Sequence, residues 1–136
     1  MKPFFKNLLE VVHSLFDRRW WAFIETSKSA HPENVIEQVR HLENALTQLP
    51  AGQIKQFHWF YRRQRYAAFQ PNLWLVSKII SSDFADFEFV TLTSFLVLSG
   101  RQTFQRILKF PEEISRMPLP KGVPLELIRD LSNRPT

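Results

Sequence analysis

Apolar residues recur every three or four positions along most of the chain, the spacing that places them on one face of an α-helix. The clearest run predicts a helix over residues 33–49 and consists of Val35, Val39, Leu42, Leu46 and Leu49. Pro32 suits the first turn of this helix, and Pro50 and Gly52 end it. Two earlier helices are predicted over residues 4–16 and 18–27, either continuous with each other or separated by an N-cap at Asp17.

Three further patterns predict helices over residues 53–69, 73–80 and 101–110. The first of them ends before Pro71, because the residue before a proline is pushed away from helical backbone angles. The β-branched residues within 73–80 would also suit a strand, but we favour a helix. Pro111 closes the helix over residues 101–110.

The stretch Phe84 to Ser99 is apolar nearly all round the predicted helix, so we expect it at the centre of the fold. Ser82 and Asp83 suit its N-cap, and Gly100 is placed to end it in a left-handed conformation. We expect residues 33–69 to pack against this helix as an antiparallel pair.

The C-terminal part of the chain has a different composition. Residues 116–124 are proline-rich and predicted to be extended, and a last short helix is predicted over residues 125–131. The extended segment either binds a groove of a partner or wraps the domain. A chain of 136 residues suits one domain, so the sequence predicts an all-α single domain over residues 1–136, with six or seven helices and an irregular proline-rich C-terminal segment.

Composition argues against several classes of function. The chain has no cysteine, which excludes disulfides and thiolate metal sites and fits a reducing compartment, so the cytoplasm is the expected location. Its 3 glycines are too few for a phosphate-binding loop or a dinucleotide fingerprint. Glu10 and His13 interrupt the apolar N-terminus, which argues against a signal peptide, and no apolar run is long enough to predict a membrane span.

The net charge of +5 favours an acidic partner. Residues 51–80 contain no acid and carry Lys55, Arg62, Arg63, Arg65 and Lys78. Residues 81–100 contain no base and carry Asp83, Asp86 and Glu88. These two segments either attract different partners or neutralise each other within the domain.

The predicted helix over residues 53–69 has two non-polar sides at 100° per residue. The side that suits the core carries Ile54, Phe57, Tyr61 and Ala68. The other side combines cations with large aromatic rings, and we call it the basic-aromatic face: Lys55, His58, Trp59, Arg62, Arg65 and Tyr66. On a binding surface, the rings would supply contact area and the arginines charge-assisted hydrogen bonds.

A helix that packs from two directions would explain the same pattern. The basic-aromatic face would then contact Trp20, Trp21 or the C-terminal tail, and its arginines would pair with the acids of residues 81–100. Burial of both Trp59 and Tyr66 would exclude the binding interpretation. Nucleic acid is a narrower alternative, in which cations neutralise phosphates and the two rings stack on unpaired bases.

No group of residues indicates catalysis, a metal or a cofactor. The chain has four histidines, which are His13, His31, His41 and His58. They lack the spacing of a metal site. Glu37 and His41 lie one helical turn apart, which is a weak metal signal on its own. Asp83 and Asp86 resemble a carboxylate pair, but acids are favoured at a helix N-terminus for structural reasons. The serines lack a nucleophile-elbow context.

Several apolar positions also form spaced motifs. Trp21 and Ile24 form W-x-x-I, and Leu73 is followed by Trp74. A ladder consists of Leu42, Leu46, Leu49, Ile54 and Phe57, and a fixed spacing joins Gly100, Phe104, Leu108 and Pro111. On these motifs, residues 20–114 resemble the bacterial domain-of-unknown-function family 4240, with residues 1–19 as an added N-terminal helix and residues 115–136 as a tail.

The resemblance is stronger in apolar than in polar positions. Where the family usually has S-D-D-G-F, this chain reads Ala85-Asp86-Phe87-Glu88-Phe89, so only Asp86 and Phe89 match. The resemblance implies a helical domain without an established activity, and it admits a role as an immunity protein that blocks a toxin. The resulting hypothesis is a non-catalytic bacterial immunity or adaptor protein that captures an acidic protein partner, with nucleic-acid binding as the alternative.

Overall fold

The computed structural model describes residues 3–80 and 86–117, which form six α-helices and one 3₁₀ helix. The elements are α1 (Pro3–Ala30), α2 (Val35–Thr47), α3 (Ala51–Ala68), α4 (Pro71–Ile80), α5 (Asp86–Leu98), α6 (Arg101–Lys109) and the 3₁₀ helix (Pro111–Arg116). These residues contain no β-strand, so the predicted all-α class is confirmed. The predicted caps Ser82 and Asp83 and the predicted helix over 125–131 lie outside the described residues.

The first helix, α1, is continuous over 28 residues. Of the two predicted alternatives, the continuous helix is therefore confirmed, and the N-cap at Asp17 is excluded. Asp17 is buried, and its carboxylate accepts hydrogen bonds from Arg63 and Gln64 of α3. Because tertiary contacts satisfy this side chain, it does not compete for the backbone N–H groups of its own helix. The C-terminal half of α1 enters the core through Trp20, Trp21 and Ile24.

The second helix, α2, begins at Val35 and not near Pro32. Asn34 is its N-cap, and the Asn34 side-chain oxygen accepts from the backbone N–H of Glu37 at 3.1 Å. Pro32 therefore precedes the helix, and its predicted place in the first turn is wrong. The buried positions Val39, Leu42 and Leu46 follow the predicted spacing.

A buried glutamine on α2 joins three helices. Gln38 Nε2 donates to the Leu98 carbonyl of α5 at 2.8 Å and to Ser27 Oγ of α1 at 3.3 Å. Consistent with these bonds, α2 packs mainly against α1, whereas α3 packs mainly against α5. The prediction that α2 and α3 pack as an antiparallel pair is therefore wrong, since each has a different main partner.

The fifth helix, α5, lies at the centre of the fold, as its composition predicted. Every residue from Leu92 to Leu98 is buried, and α1, α3 and α6 all contact this helix. Gly100 then turns the chain into α6 with a φ of 101°, which has the positive sign of the predicted left-handed conformation. Its ψ of 164° lies outside the left-handed helical region, so Gly100 redirects the chain and does not extend the last turn.

The 3₁₀ helix was not predicted. It packs on α4 and α6 and buries Ile114, and it includes Arg116, which was predicted to be extended. The remaining residues of the proline-rich segment, after Met117, lie outside the described residues. Among the helices of residues 3–80 and 86–117, none combines the length and the apolar character that crossing a membrane requires.

Candidate partner-binding face

The inner side of α3 fixes this helix in the core. Phe57, Tyr61 and Ala68 are buried as predicted, and Phe60 is buried beside them. Burial raises the pKa of the Tyr61 phenol to about 12, and its hydroxyl donates to the Ser94 carbonyl at 3.4 Å. Tyr61 is therefore a neutral core residue, and α3 has a defined orientation that sets which side chains face outwards.

The outer side of α3 presents the basic-aromatic face to solvent. Trp59 is 50% exposed and Tyr66 is 76% exposed. Lys55 and Arg62 are exposed as well, whereas His58 and Arg65 are half-buried. The condition that would have excluded the binding interpretation, burial of both aromatic rings, is not met.

The tryptophans of α1 do not cover this face. Trp20 packs edge-on against Phe57, with 5.6 Å between ring centroids, and Trp21 packs edge-on against Phe60 at 5.2 Å. Both contacts lie on the inner side of α3. The predicted alternative, in which Trp20 or Trp21 packs on the basic-aromatic face, is therefore wrong.

Two neighbours hold the exposed Trp59 ring in place. The ring contacts Phe16 of α1 edge-on at 5.6 Å, and the Arg63 guanidinium carbon lies 4.6 Å from its centroid. Arg63 is fixed in turn by Asp17, since Nη1 donates to Oδ2 at 2.9 Å and Nη2 donates to Oδ1. An exposed ring that is already oriented loses less conformational entropy when a partner binds.

Arg63 was not predicted to take part in the site. It lies between the inner and outer sides of α3, and its carboxylate partner, Asp17, is 46 residues earlier in the chain. A local pattern therefore gives no signal for this pair. The predicted pairing of arginines with Asp83, Asp86 and Glu88 involves side chains outside the described residues.

A pocket of about 420 Å³ opens at the C-terminal end of the face. Its lining consists of Arg62, Arg65, Tyr66 and Phe69. The rings of Tyr66 and Phe69 lie 6.3 Å apart, and Phe69 packs edge-on against Phe89 of α5 at 5.5 Å. Guanidinium groups beside aromatic rings suit a ligand group that joins a negative charge to an apolar part.

Comparison with known families identifies the chain. The family model of DUF4240 matches residues 16–131, which is most of the sequence. The chain belongs to the DUF4240 family. This family is one of proteins of unknown function, so membership confirms the resemblance seen over residues 20–114 and assigns no activity. Neither the curated proteins nor the solved structures gave a match.

In this DUF4240 protein, part of the charge on the face is engaged within the domain. His58, Trp59, Arg62 and Arg65 each make further polar, ionic or ring interactions with other residues of the chain. A partner would therefore share these groups with the domain and compete with their internal contacts. This arrangement lowers the net gain from each cation and gives the exposed rings more weight in binding.

The structure also shows the surroundings of Glu37 and His41, the pair that gave a weak metal signal in the sequence. Glu37 Oε1 accepts from Arg40 Nη1 at 2.7 Å, and the rings of His31 and His41 lie edge-on with centroids 5.7 Å apart. Within the described residues, no group of three or more potential ligands could hold a metal ion. The predicted carboxylate pair is not described by the structure, since Asp83 and the Asp86 side chain lie outside the described part of the chain.

Proposed function

We propose that this DUF4240 protein is a non-catalytic binding module, in concrete terms a bacterial immunity or adaptor protein, whose basic-aromatic face captures an acidic protein partner. The observation that carries the proposal is the exposure of Trp59 and Tyr66 beside Lys55 and Arg62, on a helix whose other side is core. Tryptophan, tyrosine and arginine are the residues that most often dominate the energy of protein interfaces.

Charge and shape both support an acidic partner. The chain carries a net charge of +5, and residues 51–80, which include all of α3, contain no acid. The pocket between Arg62, Arg65, Tyr66 and Phe69 would accept a carboxylate-bearing side chain of the partner. The absence of cysteine fits the cytoplasm as the compartment of this interaction.

Affinity capture with the tagged full-length protein tests the proposal. The variant Arg62→Glu with Trp59→Ala should lose the acidic partner that the wild-type protein retains from a lysate of its own bacterium. The matched control, Arg116→Glu with Phe110→Ala, makes the same kinds of change at exposed positions away from α3 and should retain that partner. If the α3 variant keeps both its helical circular dichroism and the partner, this face is not the binding site.

Nucleic-acid binding is the second candidate, and the open ring of Tyr66 favours it because unpaired bases stack on accessible aromatic faces. It makes a different prediction, since the affinity for a single-stranded oligonucleotide should fall steeply as salt is added. A fluorescent oligonucleotide that fails to bind even at low salt would exclude it. If the oligonucleotide binds, and if both added salt and the Arg62→Glu substitution weaken this binding, nucleic acid would be favoured over an acidic protein as the partner.

A further inference from the structure

The N-terminal half of α1 projects beyond the packed part of the domain. Between residues 7 and 15, every side chain that the structure describes is exposed. Aliphatic side chains that are between 46% and 59% exposed form one group, which we call the α1 arc: Leu8, Leu9, Val11, Val12 and Leu15. Contiguous exposed apolar side chains of this kind mark an interaction surface.

The α1 arc does not point towards the core of its own domain. The C-terminal half of the same helix buries another side, defined by Asp17, Trp20, Trp21 and Ile24. At 3.6 residues per turn, the centres of the arc and of this buried side differ by about 160°. The single helix therefore has two apolar sides that face in nearly opposite directions, and within the described residues only the second is covered by the domain.

The arc also differs in charge from the basic-aromatic face beside it. Residues 7–16 contain one acid, Glu10, and no lysine or arginine. Residue 10 lies on the opposite side of the helix from the centre of the arc at 100° per residue. The arc is thus an uncharged aliphatic surface, which fits another aliphatic surface better than it fits an acidic partner.

We propose that the α1 arc binds the same arc of a second copy of this chain, as an antiparallel helix pair about a two-fold axis. Leu8, Val12 and Leu15 follow the four-and-three spacing of a helix–helix seam. When the two-fold axis crosses the seam at the level of residue 10 along the helix, Leu8 of each copy faces Val12 of the other, so the interface is self-complementary. Antiparallel pairing also places the two domains at opposite ends, which separates two chains of charge +5.

The size of the arc sets the strength of this association. A stable interface typically buries about 800 Å² on each partner, and five half-exposed aliphatic side chains supply roughly half of that. The dimer should therefore dissociate in the micromolar range, with a Kd on the order of 10 µM. The basic-aromatic face contributes none of its six residues to the arc, so the two proposed surfaces are distinct.

Sedimentation equilibrium of the full-length protein over two decades of concentration around about 10 µM tests the proposal. The wild-type protein should show a monomer–dimer equilibrium, and Val12→Glu should weaken it at least about tenfold, the effect of placing a charge in an apolar seam. Asn7→Glu adds the same charge to the same exposed stretch but outside the arc, and it should leave the dimer unchanged. Both substitutions are at exposed positions, so helical circular dichroism should be preserved.

Charge complementation tests the antiparallel register. Leu8→Lys alone and Val12→Glu alone should both be largely monomeric. Their equimolar mixture should recover the dimer, because the introduced ammonium group of one copy then faces the introduced carboxylate of the other. A wild-type monomer at every concentration would overturn the proposal. A dimer that tolerates Val12→Glu would overturn it too, and a mixture that fails to associate would exclude this register.

Discussion

Replacing Arg63 with methionine should destabilise the domain by about 2–3 kcal/mol, although Arg63 lies at the edge of an exposed face. The Asp17 side chain is 11% exposed and that of Arg63 is 28% exposed. The substitution removes two of the three side-chain donors that Asp17 has in the described structure and leaves Gln64 Nε2 at 3.1 Å. A nearly buried carboxylate then keeps its desolvation cost without its counter-ion.

The magnitude follows from the intermediate burial of this pair. Hydrogen bonds to charged groups contribute about 1.5–3 kcal/mol, and breaking a fully buried pair costs about 3–5 kcal/mol. The Arg63 side chain is partly exposed, so the expected cost lies below that of a fully buried pair, at about 2–3 kcal/mol. For a chain of this size, each kcal/mol lowers the Tm by roughly 3–5 °C.

Urea unfolding followed by far-ultraviolet circular dichroism measures the loss, and Arg40→Met is the matched control. Arg40 pairs with Glu37 at 2.7 Å, but these side chains are 63% and 40% exposed, so the control should cost no more than about 0.5 kcal/mol. Asp17→Leu combined with Arg63→Met should recover most of the stability, because neither charge then remains. If Arg63→Met costs no more than Arg40→Met, the pair does not stabilise the fold and the orientation of Trp59 has no firm support.

Three other perturbations test separate features. Gly100→Ala should lower the free energy of unfolding by about 1–3 kcal/mol, because a φ of 101° with extended ψ is unfavourable for any residue with a Cβ atom. An unchanged Tm in thermal unfolding would contradict this prediction. Gln38→Leu should cost about 1–3 kcal/mol in urea unfolding, since the Leu98 carbonyl loses its donor, and a loss below about 0.5 kcal/mol would argue against the bond. Burial raises the pKa of Tyr61 from 10.0 to about 12. The contribution of the neutral phenol to stability is therefore complete below pH 10 and is lost as the pH rises through about 12. The total loss in the free energy of unfolding should be about 2–3 kcal/mol. In Tyr66→Phe, which leaves Tyr61 as the sole tyrosine, phenolate absorbance should report this raised pKa, and a midpoint near pH 10 would refute it.

The helices of this fold were predictable where apolar residues at regular spacing form the buried side of the helix. Leu42 and Leu46 on α2 are such positions, and both are buried. The start of the same helix was not predictable from its proline, because an N-cap requires a side-chain oxygen that reaches the first turn, and Asn34 provides it. Gln38 shows why the packing partner of α2 was missed, since a polar residue gives no apolar signal although it ties α2 to α1.

The candidate site was predictable to the extent that it depends on one helix. Periodicity alone placed Trp59 and Tyr66 on the outer side of α3, and both are exposed. It did not reveal Arg63, whose partner lies on another helix, or Phe69, which follows the last turn of α3 at its C-cap. Contacts between distant segments depend on the three-dimensional packing, and no local spacing encodes them.

The division of α3 into a buried and an open side has a consequence for how recognition can evolve in this fold. Substitutions at Lys55, Arg62 or Tyr66 change the charge and shape offered to a partner, yet exposed positions typically alter the free energy of unfolding by less than about 0.5 kcal/mol. Under the proposed function, new specificities could therefore arise on one helix while the core stays constant. Arg63 limits this freedom, because a change there alters both the proposed recognition surface and the stability of the domain.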